Sequence, residues 1–145
     1  MKSHQELVDR LRQNGLRITP QRVAILEAIT DKDGHITADE IFARINPLFP
    51  YVDISTVYRT LDYLTENGLL NVIDLGAGRA EYELVSRTPH HHLVCRHCKQ
   101  VISIDGELVQ PLRDALLDQY GFAADIRHFA IFGLCRACRE AGDRE

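Results

Sequence analysis

Apolar positions in the first half of the chain recur at helical spacing in four separate groups. Leu7, Val8 and Leu11 fall three and four apart and end at Gly15, which predicts a helix over residues 5–14. Thr19 followed by Pro20 reads as a cap and a first-turn proline, opening a second helix that carries Val23, Leu26 and Ile29. Thr37-Ala38-Asp39-Glu40 has the spacing of a capping box ahead of Ile41, Phe42 and Ile45. Pro47 and Pro50 break the chain before a fourth helix over 54–67, which stops at Asn67-Gly68. Its stripe is Ile54, Val57, Leu61 and Leu64. Ser55, Arg59 and Asp62 point the other way, with Thr56 and Tyr58 on the flanks.

The period then shortens. "LLNVIDL" and "AEYELV" are two strand-like runs joined by the glycine-rich "GAGR", the signature of a hairpin. Helices closed by a two-stranded wing make a winged helix, with the fourth helix as its reading element. "SRTP" at 86–89 is the natural linker, so the expected domains are 1–86 and 87–145. The second carries strands "HHLVC" and "QVISI", an amphipathic helix within 107–120 with Pro111 in its first turn, and a strand "IRHFAIFG". The fold class is therefore mixed α/β (α+β): a winged helix followed by a small α/β unit.

A length of 145 residues fits one ordinary domain or two small ones, and 45% hydrophobic with 26% charged is the composition of a soluble globular protein. The apolar groups are too short to cross a membrane. "MKSHQELVDRLRQNG" has no apolar core and no small-residue cleavage site, so the expected location is the cytoplasm. Charge changes the picture more. The net charge is −4; residues 1–85 hold 9 Lys and Arg against 13 Asp and Glu, and residues 86–145 hold 8 against 8. A non-specific nucleic-acid binder would be basic, because phosphate neutralisation supplies most of such binding. Any DNA affinity here has to come from a local face and be conditional on something else.

The strongest chemistry is in the cysteines. Cys95-x-x-Cys98 and Cys135-x-x-Cys138 are the chain's only four. In a reducing compartment two such pairs read as four thiolates on one tetrahedral zinc, a closed site of structural type. A redox dithiol, or plain buried cysteines, is the other reading. The segment between the pairs must fold as strand, helix and strand, so the ion would clip the ends of a domain with little core.

"PHHHLVCRHC" at 89–98 also collects four of the seven histidines. On a strand, His90 and His92 share one face and His91 points to the other, so the run can feed two sites; a solvated loop is the alternative. Partners available elsewhere are Glu81 or Glu83, His35, Asp105, Glu107 and His128. A sensor gains most from ligands that straddle two domains, and His35 and Glu83 with His90 and His92 would do so. An enzyme would need an open zinc and a general base. The chain has no His-Glu-x-x-His, and no His-x-Glu paired with Pro-Cys-x-x-Cys, so no enzymatic activity is expected.

Taken together, "GLRITPQRVAILEAI", "HITADEIFARI", "DISTVYRTLDYLTENGLL", "EYEL", "HHHLVCRHCKQVI" and "GLCRAC" resemble the ferric uptake regulator (Fur) family of metal-dependent repressors, in family order and over nearly the whole chain. The resemblance implies a winged-helix DNA-binding domain, a dimerising α/β domain and metal-triggered binding of a homodimer to palindromic double-stranded operators. It implies a structural zinc on Cys95, Cys98, Cys135 and Cys138, and a sensing site on His35, Glu83, His90 and His92. Tyr58 and Arg59 fall on positions that touch bases and backbone, Arg17 on a basic residue that reaches DNA, and Arg22 on a plausible phosphate contact. Ser55 and Thr56 are further phosphate candidates.

Departures from the family pattern bear on the metal. Many members place a carboxylate where this chain has Ser103, and Asp105 on the same strand face is the available substitute. The family's additional site matches poorly; His91, Glu107 and His128 are what this chain offers for it. Three imidazoles and one carboxylate suit zinc, whereas ferrous iron and manganese prefer more ligands and more oxygen. Glu83, where zinc-sensing members often use a cysteine nearby, pulls toward iron. The expected co-repressor is zinc, with ferrous iron next. Manganese or peroxide sensing is an alternative within the family, and a metal-storage or interaction module without operator binding is the alternative outside it.

Overall fold

The computed structural model describes residues 4–13, 15–32, 34–85 and 89–142, and the chain divides into two compact units. The first comprises residues 1–72 and 80–86. Its helices are α1 (His4–Gln13), α2 (Pro20–Thr30), α3 (Ala38–Ile45) and α4 (Ile54–Glu66). The linker expected at 86–89 lies outside the described residues except for Pro89.

Local chemistry sets the helix starts. Thr19 accepts the amide of Arg22 at 3.4 Å, with Pro20 in the first turn of α2. At α3 the capping box is complete. Thr37 Oγ1 accepts the amide of Glu40 at 3.2 Å, and the Thr37 amide donates to Glu40 Oε2 at 2.9 Å. The apolar stripes then meet in one core: Leu7, Leu11, Ile25, Leu26, Ile41, Leu61 and Leu64 are wholly buried in it. Val57 belongs to the same core, while Ile54, expected on the stripe, is only half-buried.

A three-stranded sheet of order β1-β3-β2 completes the unit, from β1 (Ile36–Thr37), β2 (Leu70–Ile73) and β3 (Glu81–Leu84). The hairpin is the expected wing. β1 was not expected: two residues leave no periodicity to read. Its antiparallel register sets Ile36 against Tyr82, so the residues just outside that pair, His35 and Glu83, become neighbours.

The second unit comprises residues 73–79 and 87–145. Its sheet, of order β5-β4-β6, is built from β4 (His90–Cys95), β5 (Val101–Asp105) and β6 (Ala130–Gly133). β5 pairs antiparallel with β4, opposing His90 to Asp105 and His92 to Ser103; β6 pairs parallel, opposing His92 to Ala130. Between β5 and β6 come a 3-10 turn (Gly106–Val109) and α5 (Gln110–Tyr120), with Pro111 in the first turn of the helix as expected. Gly106 is required there, because a Cβ would sit 2.7 Å from the carbonyl oxygen of Pro89, the group that accepts the Gly106 amide at 3.0 Å. A short α6 (Arg136–Glu140) follows β6.

Candidate functional site

The four cysteines converge. Their sulfurs all lie within 4.8 Å of one another, and Cys98 Sγ is 3.7 Å from Cys135 Sγ. Thiolates about 2.3 Å from a tetrahedral zinc stand about 3.8 Å apart, so the cluster has the size of a zinc site. Each half is a knuckle made by local backbone. The Lys99 amide donates to the Cys95 carbonyl at 3.0 Å, and Lys99 takes a left-handed φ of 64° as the chain leaves the turn. On the other side, the Cys135 amide donates to Cys95 Sγ at 3.4 Å, and Cys135 begins the helix that carries Cys138.

Hydrogen bonds move two of the thiols in opposite directions. The amide of Cys135, followed by that of Cys98, pushes the Cys95 thiol down to about 6. Cys138, hydrogen-bonded to the Cys135 sulfur and buried, is pushed up to about 12. Cys98 is exposed while Cys95 and Cys138 are buried.

The histidine strand behaves as alternation predicts. His90 and His92 stand edge-on with ring centres 5.0 Å apart. His91 points away, wholly buried, its ring 4.3 Å from that of Phe129. Among the described residues neither ring nitrogen of His91 has a hydrogen-bond partner. Burial, then the charges of His128, Arg113 and His90, hold its pKa below the ordinary histidine value, so it is a neutral core imidazole.

His128, grouped from sequence with His91 and Glu107, sits elsewhere. Its Nε2 lies 2.8 Å from His92 Nε2, on the face that carries His90. Glu107 is exposed, and the structure does not gather His91, Glu107 and His128 into one cluster of donor atoms. Asp105, the substitute expected for the carboxylate missing at Ser103, turns an oxygen to the Glu107 amide at 2.8 Å and caps the 3-10 turn.

In the first unit His35 Nε2 is 3.2 Å from Glu83 Oε2, as the register of β1 dictates. The other oxygen of Glu83 accepts from Asn71 Nδ2 at 3.2 Å. Asn71 was missed in the sequence. The only available signal was its place on β2, the strand beside Glu83's own.

The sequence profile described as "Ferric uptake regulator family" matches residues 13–131. The chain belongs to the ferric uptake regulator family. It is 30% identical over 130 residues to the ferric uptake regulation protein of Campylobacter jejuni, spanning 88% of this chain and 83% of the relative. It is 29% identical over 133 residues to the peroxide operon regulator of Bacillus subtilis, spanning 92% and 91%. The solved Helicobacter pylori ferric uptake regulator, described as having three functional metal binding sites, shares the fold at a TM-score of 0.76, 95% coverage of both chains and 21% identity. The likeness is one of fold, a winged-helix unit accompanied by a small α/β unit.

On the family's winged helix, α4 presents Tyr58, 42% exposed, and the exposed Arg59. Its N-terminus is organised by Asp53, which sequence reasoning overlooked. One Asp53 oxygen accepts the Thr56 amide at 3.0 Å and the Thr56 hydroxyl at 3.3 Å, and also a short bond from Ser55 Oγ. Arg59 Nη2 then donates to Thr56 Oγ1 at 3.2 Å. Ser55, the Thr56 amide and Thr56 hydroxyl, and the charge of Arg59, in that order, hold the Asp53 carboxyl below its usual range. The hydroxyls of Ser55 and Thr56 therefore serve the cap, and must turn from it to meet a phosphate. Arg17 is exposed, whereas the Arg22 guanidinium donates to the Arg17 carbonyl and ties the loop to α2.

Proposed function

We propose that this protein is a metal-dependent, DNA-binding transcriptional repressor. In this reading Cys95, Cys98, Cys135 and Cys138 hold a structural zinc, and His35, Glu83, His90 and His92 take the co-repressor ion, zinc before ferrous iron. What supports the reading is a pair of potential metal donors within each unit. His35 and Glu83 are 3.2 Å apart in the first; His90 and His92 stand edge-on, ring centres 5.0 Å apart, in the second. An ion drawing on both halves fixes how the reading helices are presented, so metal affinity and operator affinity rise together.

A homodimer fits the second unit's surface. Among the described residues α5 buries none of its own, and Ile102, Leu112, Leu117 and Ile131 are each 42–53% exposed. A groove of about 150 Å³ lined by Leu93, Ile102, Ile131 and Leu134 runs along the same sheet. Apolar exposure of that extent in a domain this small is what a second copy covers. A two-fold dimer then reads palindromic half-sites about one helical turn apart. Tyr58 packs on thymine methyls, and Arg59 meets phosphate or guanine.

The deciding experiment is operator binding titrated with zinc, ferrous iron and manganese, alongside elemental analysis of the purified protein. His90→Ala is expected to abolish metal-dependent binding while retaining the cysteine-bound zinc. Metal-dependent binding that survives in this variant places the sensing site elsewhere. A peroxide-sensing reading draws on the name of the Bacillus relative; it requires that the iron-loaded protein lose its operator on exposure to peroxide.

A further inference from the structure

The second unit offers one imidazole more than the proposed sensing set uses. His128 stands with its ring centre 4.8 Å from that of His92 and 5.1 Å from that of His90, edge-on to both at 85° and 75°. His90 and His92 are themselves edge-on at 88°. Three rings set nearly at right angles, with centres 4.8–5.1 Å apart, have the spacing of imidazoles around one ion, as in the His₃ zinc sites. The His92 and His128 Nε2 atoms are 2.8 Å apart. Two imidazole nitrogens on one zinc, at about 2.0–2.1 Å, stand about 3.3 Å apart, so an ion has only to part them by a fraction of an ångström.

Backbone, not chance side-chain packing, puts His128 there. The His92 amide donates to the Phe129 carbonyl at 3.0 Å, and the parallel register sets His92 against Ala130. The carbonyl bond holds the segment just before β6 against β4 at His92, next to His128. Ser103 opposes His92 but is a hydroxyl, and Asp105, which opposes His90, caps the turn before α5.

We propose that His128 is a ligand of the regulatory ion, and that His90, His92 and His128 form a three-imidazole face that binds it from the second unit alone. This rests on the reading that the regulatory ion sits at His90 and His92. It deepens that reading by naming the metal class. A face of three imidazole nitrogens favours zinc and its late first-row neighbours over manganese, which needs more oxygen. It also orders events, because the ion can dwell on this face before Glu83 and His35 complete its shell.

The test uses the full-length protein with the cysteine zinc in place, comparing wild type with His128→Ala, His128→Gln, His35→Ala and His90→Ala. Zinc, cobalt and manganese affinities are measured by competition, and operator binding in parallel. Both His128 variants are expected to lose at least tenfold in zinc affinity, by the scale on which even a metal ligand's supporting groups act. Their manganese affinity should change by less than threefold. His35→Ala should keep a weaker cobalt site on the remaining imidazoles. In cobalt-loaded wild type, hyperfine-shifted imidazole N–H signals should include that of His128, a readout that needs no variant to fold. Wild-type zinc affinity in both His128 variants, with affinity lost in His90→Ala, overturns the role of His128 and leaves the sensing reading standing. Metal-dependent operator binding intact in His90→Ala as well sinks the sensing reading itself.

Discussion

Glu83 shows how much of a metal site is settled one residue away from its ligands. Its two oxygens face different partners, His35 on one side and Asn71 on the other, and the carboxylate is buried. A ligand held this way keeps its orientation without the ion. Asn71→Ala removes one hold and leaves the first unit's apolar core untouched. Regulatory-metal affinity is then expected to fall about tenfold, the effect typical of groups that orient a ligand, with thermal stability nearly unchanged. Competition titration against a chelator checks this; wild-type affinity would show that Glu83 needs no such support. Sequence and structure part company here for a plain reason. The cysteine knuckles and the alternation of His90, His91 and His92 are local spacings, written in adjacent letters. Asn71 beside Glu83, His35 beside Glu83 and His128 beside His92 depend on strand register across 12 to 48 positions, which no local pattern encodes.

Elements begin and end on chemistry that a sequence states clearly when the cap is a Thr-x-x-Glu box. α3 starts where Thr37 and Glu40 require, and Thr37→Ala is expected to cost about 1 kcal/mol, read by urea titration. Glu40 also takes the Lys32 ammonium at 2.8 Å. That contact, ahead of the Thr37 amide, holds its carboxyl below the ordinary range. The sign follows: a depressed folded pKa gives stability that is present above the ordinary carboxylate pKa and lost as pH falls through the depressed one. Because the pair is exposed, the contribution is about 0.2–1 kcal/mol, and Glu40→Gln should flatten that limb of the stability–pH curve without moving its neutral plateau by more. α4 was legible by its stripe but not by its cap, since Asp53 carries no Glu three residues on. The cap chain from Asp53 through Thr56 to Arg59 braces the reading residue. Arg59→Ala is expected to cost about 1–3 kcal/mol of operator binding while leaving metal affinity unchanged; equal loss of both would mean that Arg59 is not a DNA contact. The two elements that went unseen, β1 and α6, span 2 and 5 residues, too few for a period to register.

At the scale of the molecule, charge and linkage make one argument. A net charge of −4 deprives the protein of the phosphate attraction that gives most DNA binders a high floor, so operator affinity without the co-repressor should be low and steeply improved by it. That improvement is a free energy shared between two ligands and therefore reciprocal. If saturating zinc tightens the operator a hundredfold, a coupling of about 2.7 kcal/mol, then saturating operator must tighten zinc by the same factor. The measurement is zinc affinity by competition with and without operator DNA, at one salt concentration. His90→Ala should abolish both increments together, whereas Ile131→Asp should dissociate the dimer and abolish the operator increment while leaving the three-imidazole ion affinity in place. Operator tightened by zinc with no answering change at the weaker zinc site would mean that the responsible ion is the one on the four thiolates, acting through folding of the second unit rather than through a joint between the two.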